Sequence, residues 1–88
     1  MIEGKTKSGF AFELDENRMD DMEMIDILAK VQDGDPVACS KFIDKLLGTE
    51  GKKALYDHLR TEDGRVPIKA LFDAVGEILA SSGDNGKK

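Results

Sequence analysis

The side chains able to do chemistry in this 88-residue chain are few and scattered. His58 is the only histidine and Cys39 the only cysteine. A triad needs a nucleophile, a base and an orienting acid within reach of one another. No second histidine and no glycine-framed serine supplies one here. On a helical wheel His58 falls to the polar side, and Cys39 falls on an apolar face, so a solvated histidine and a buried, inert thiol are expected. One cysteine cannot close an intramolecular disulfide, which fits a reducing compartment, and one cysteine with one histidine argues against structural zinc. Thr61-Glu62-Asp63-Gly64-Arg65-Val66 is reminiscent of a calcium loop. With Gly64 at the sixth position, however, Leu59 and Ala70 occupy the first and twelfth, which need carboxylates. The acids here are expected to end a helix, with Gly64 taking the left-handed conformation. An acyl carrier protein needs a serine after an aspartate, and none of Ser8, Ser40, Ser81 and Ser82 follows one. No catalytic, cofactor or metal residue is therefore assigned, and the chain is not expected to be an enzyme.

The elements around these residues read as a small helical domain. Ser8–Leu14 alternates Phe10, Phe12 and Leu14, the two-residue period of a strand with one buried face. A lone strand needs a partner. Arg65-Val66 before Pro67, another chain, or a role as an extended arm laid on the helices all remain open. Four helices follow. The first spans about 20–32, capped by Asp20 or Asn17 and stopped at Asp33-Gly34. The second opens at Asp35-Pro36 and ends at Gly48, with Cys39, Phe42, Ile43, Leu46 and Leu47 on one face. The third runs from Thr49 to about Asp63-Gly64 with a narrow stripe of Leu55, Tyr56 and Leu59. The fourth runs from Pro67 to about Ala80, with Ile68, Leu71, Phe72, Val75 and Leu79 on one face. The expected fold is mainly α: a single-domain bundle of about four helices over 1–80, with a short N-terminal strand or extended arm over 5–15. Residues 81–88 read as a disordered tail.

The first helix departs from this pattern. Met22, Ile25, Leu28 and Ala29 make one apolar stripe; Met24, Ile27 and Val31 make a second. Together they cover roughly 220°. Either the helix is central and covered on both sides, or one stripe faces a partner. Three methionines, Met19, Met22 and Met24, sit at its start, and methionine suits adaptable apolar surfaces. Met22, Met24, Ile27 and Val31 are the candidate partner-binding residues. Phe10, Phe12 and Leu14 are the candidate self-association strand.

Charge narrows the classes of partner. The net charge is −5, and residues 13–35 carry nine acids against two bases. Such a surface repels phosphate backbones, so nucleic acid is disfavoured. The most basic helix, with Lys52, Lys53 and Arg60, is a weak candidate for DNA recognition. No apolar run is long enough to cross a membrane, and none follows the first residues, so neither a membrane partner nor a signal peptide is expected.

The order of segments resembles a known family. Gly4-Lys5-Thr6-Lys7-Ser8-Gly9-Phe10-Ala11-Phe12-Glu13-Leu14-Asp15 leads into Asp20-Asp21-Met22-Glu23. Then come Gly34-Asp35-Pro36, Leu46-Leu47-Gly48, Lys52-Lys53-Ala54-Leu55-Tyr56-Asp57-His58-Leu59-Arg60 and Asp63-Gly64-Arg65-Val66-Pro67. Over about residues 4–80 this is similar to the small tail assembly chaperones of long-tailed (siphovirus-type) bacteriophages and Gram-positive prophages. The resemblance implies a protein that coats the tape measure protein, a long apolar helical chain, and keeps it soluble until tail tube protein polymerises around it. It also implies action in the host cytoplasm, absence from the mature virion, and a frameshifted longer form of which this chain would be the short version. Homo-oligomerisation is a further expectation. The alternative is a small acidic helical adaptor, or a regulatory protein of a phage or prophage that binds one host protein.

Overall fold

The computed structural model describes the backbone of residues 2–87 and the side chains of residues 2–81. Strand β1 (Ile2–Lys5) and strand β2 (Ala11–Leu14) form an antiparallel hairpin. A 3-10 turn (Glu16–Arg18) leads to helix α1 (Met22–Gln32), and α2 (Pro36–Leu59) and α3 (Ile68–Lys87) complete the chain. The strand expected over Phe10–Leu14 is thus paired, and its partner within the chain is the N-terminal segment rather than Arg65-Val66. Ile2 faces Leu14 and Gly4 faces Phe12. The ring of Phe12 lies against Gly4, where a Cβ would come within 2.6 Å of its Cζ. Glycine at this position lets the ring fold across the strand.

The connecting turn has a defined type. Gly9 N–H donates to Thr6 O and Thr6 N–H to Phe10 O, both at 2.9 Å, and Gly9 has φ 99°. This is a three-residue hairpin loop, a type I turn followed by a bulge at the left-handed glycine. Buried Thr6 closes it, its Oγ1 accepting from Phe10 N–H at 3.1 Å.

The helix starts follow capping chemistry. Asp21 caps α1 by accepting from Glu23 N–H at 2.9 Å, so the cap falls one residue beyond the expected Asp20. Asp35 caps α2 by accepting from Val37 and Ala38 N–H, with Pro36 in the first turn. The four expected helices are three among the described residues. Thr49 continues α2 through Gly48, whose φ 80° and ψ 170° break the helix without a separating loop. That conformation is open almost exclusively to glycine. The break folds α2 back on itself. Tyr56 Oη donates to Ser40 Oγ at 3.2 Å, although sixteen residues of straight helix would hold them about 24 Å apart.

Folded α2 is the centre of the molecule. Both α1 and α3 pack on it, β2 lies against it, and β1 lies against α3. Its Ala38, Cys39, Phe42, Ile43, Leu46 and Leu55 are buried with Leu14, Met24, Leu71, Ala74, Val75 and Ile78. The tail expected to be disordered over 81–88 overlaps the last turns of α3, which extends to Lys87; side chains 82–88 lie outside the described residues.

Candidate functional site

Helix α1 divides its wide apolar arc unequally. Met24 is 1% exposed and Val31 is buried, while Ile27 and Leu28 are half-buried against the core. Met22 is 70% exposed and Ile25 44%, with Ala29 exposed one turn further on. Of the four expected partner-binding residues, only Met22 is therefore open. Met24, Ile27 and Val31 are corrected to core positions, because that stripe is the one facing α2. Ile25 takes their place at the surface; its spacing of three residues from Met22 sets the two side by side. Exposed Glu23 and Asp26 flank the pair.

The start of α1 is fixed to α2 by polar contacts. Arg18 Nη1 donates to Lys45 O at 2.6 Å, in the last turn before the Gly48 break. Carbonyls in the last turn of a helix segment commonly lack an intrahelical partner, and here a side-chain donor reaches one. Lys45 Nζ lies 3.7 Å from Asp21 and 3.8 Å from Glu23. Both pairs are substantially exposed, so they orient the helix end more than they stabilise it.

The expected self-association strand is largely internal. Phe12 and Leu14 are buried, and the Phe10 ring stands 5.6 Å from that of His58. This face belongs to the chain's own core, so these side chains are not an open surface and only the backbone edge of the strand is left for pairing. The polar-side position of His58 predicts a merely solvated residue. It is exposed, but its Nε2 lies 3.1 Å from Ser8 Oγ and 3.2 Å from Ser8 O. Lys7 N–H donates to Glu77 Oε1 of α3 at 2.7 Å. The hairpin loop is thus held by the far end of α2 and by α3. Fifty and seventy residues separate these partners, and no local pattern announces them.

Three titratable groups are shifted by their surroundings. Burial raises the Cys39 thiol above its usual value, which keeps it protonated and unreactive. Asp57 is held below the ordinary carboxylate value by its hydrogen bond with Lys53 and then by Arg60. Asp63 is lowered by hydrogen bonds from Thr61 and Arg65. The Thr61–Arg65 loop is closed on itself: Thr61 N–H donates to Arg65 O at 2.8 Å, and Gly64 has φ 88°. Asp63 pairs with the neighbouring Thr61 and Arg65 side chains. Among the described residues no three His, Cys, Asp or Glu side chains gather as a metal-binding group, and no helix is long and apolar enough to cross a membrane. Comparison with protein-family models, with curated proteins and with solved structures finds no match.

Proposed function

We propose that this protein is a tail assembly chaperone of a long-tailed phage or prophage. On this reading it binds the tape measure protein in the host cytoplasm and leaves the complex when tail tube protein assembles. The observation that carries the reading is the exposed Met22–Ile25 pair on a helix flanked by acids. An apolar helical client offers stripes of its own, and a helix face with i, i+3 anchors is a matching receptor. Methionine adapts to varied apolar surfaces, so one chaperone face accommodates many client segments. Each such contact is small and reversible, and many copies on one client make the assembly stable. The nine acids of residues 13–35 keep coated complexes apart by like-charge repulsion. The order of sequence segments from Gly4 to Pro67 supports the same reading.

The test is co-expression with the tape measure protein of the same genome, followed by size-exclusion chromatography with light scattering. The client stays soluble in a complex carrying many copies of the native chain. The double variant Met22→Glu, Ile25→Glu keeps its circular dichroism and loses the client. If the client precipitates beside the native chain as well, the reading fails. Capture of one folded host protein at equal stoichiometry supports a regulatory adaptor instead.

A further inference from the structure

The outer side of the hairpin is unlike the rest of the surface. Thr6 and Phe10 form a hydrogen-bonded pair at the end of the ladder, and pairs alternate along an antiparallel ribbon. Gly4–Phe12 and Ile2–Leu14 are then the bonded pairs, and Lys5–Ala11 and Glu3–Glu13 are not. The N–H and C=O groups of Ala11 and Glu13 therefore point away from β1, along the free edge of β2. The four consecutive residues Phe10–Glu13 line a groove of 480 Å³, closed on the α2 side by Leu47 and Gly51. Gly51 brings no side chain into it, and Phe10, Phe12 and Leu47 make the floor apolar.

The rim carries an unfavourable feature. Glu3 stands directly across from Glu13, and like charges at facing positions destabilise a ribbon. Among the described residues neither carboxylate has an ion-pair partner, and Lys5 on the same face pairs with neither. A partner that brings positive charge relieves this repulsion. A second copy joined edge to edge through β2 does the opposite, because it adds its own Glu3 and Glu13 to the same face.

We propose that the free edge of β2 is a strand-addition site for an extended basic peptide segment. The added strand bonds to the backbone of Ala11 and Glu13, sets alternate apolar side chains in the groove, and places its cations on Glu3 and Glu13. This site is separate from the Met22–Ile25 face and takes a ligand of different geometry, so it stands or falls independently of the chaperone reading.

The experiment uses the full chain, isotope-labelled, titrated with a synthetic peptide alternating valine with lysine and with a control carrying glutamate in place of lysine. The lysine peptide shifts the amide resonances of Ala11 and Glu13, protects both from exchange, and leaves Met22 and Ile25 unmoved. The double variant Glu3→Lys, Glu13→Lys weakens the lysine peptide about fivefold at low salt and accepts the glutamate peptide. Glu13→Pro deletes one outward N–H without removing a bond to β1, and it abolishes binding while the Gly4–Phe12 amides keep their shifts. Equal binding of both peptides, shifts confined to α1, or no binding overturns the proposal. Concentration-dependent dimerisation with shifts at Ala11 and Glu13 in the absence of peptide also overturns it, and assigns the edge to a second copy.

Discussion

Helices α1 and α3 flank the same folded α2, and they solve the burial problem differently. In α3 the buried residues Leu71, Ala74, Val75 and Ile78 form one stripe, with Phe72 and Leu79 packed at its margins. Among its described residues only Ile68, at the first position, is a large apolar side chain left mainly in water. In α1 the apolar arc is wider than one neighbour covers, so Met24 and Val31 go in while Met22 and Ile25 stay out. A helix touching a single partner buries about one stripe. Apolar residues beyond that width are left on the surface, and there they mark a candidate interface.

The sharpest way to break this comparison is to truncate both kinds of position. Met24→Ala and Ile78→Ala are each expected to cost about 2–5 kcal/mol in urea unfolding, because each empties a fully buried site. Met22→Ala is expected to stay within about 0.5 kcal/mol. A large loss at Met22 would show that α1 has no open stripe. Next in size is Gly48→Ala, expected to cost about 1–3 kcal/mol. Apart from the adjoining backbone nothing lies within 4 Å of the position a Cβ would take, so the effect is one of backbone conformation. A neutral result would mean that α2 does not fold back there. Asp21→Ala and Asp35→Ala each remove a cap and are expected to cost about 1 kcal/mol, read from the same unfolding midpoints. Loss at Asp21 should fray α1 alone, seen as faster exchange of the Glu23 amide.

The smallest effect is that of pH. Asp57 has a folded value below its ordinary 3.8, so its ion pairing stabilises the fold above that value and is lost as pH falls through the lower folded one. Asp57→Asn should remove this acid-side slope in a stability profile. Because the group is at the surface, salt should largely mask it.

Much of the helical frame was legible because its signals are local. Asp35-Pro36 marks a helix start by chemistry confined to neighbouring residues, and Gly48 marks a break because only glycine tolerates that backbone. Strand β1 was hidden for the opposite reason. Ile2 is its one large apolar residue, and Gly4, its second inward position, is a vacancy that matters only because Phe12 fills it from the other strand. The role of His58 was hidden in the same way, since its partners lie fifty residues upstream. For α1 the periodicity revealed two stripes, but choosing the buried one requires knowing where α2 lies. Met24 and Met22 are chemically alike, and tertiary placement alone separates them.

The hairpin clamp has a consequence for biosynthesis. Residues 2–14 are made before the groups that hold their loop, since His58 and Glu77 lie fifty and seventy residues beyond their partners Ser8 and Lys7. Until then Phe12 and Leu14 have no core to enter. The nascent chain must carry this apolar segment exposed until α2 and α3 have followed it, and the native hairpin docks only after they form.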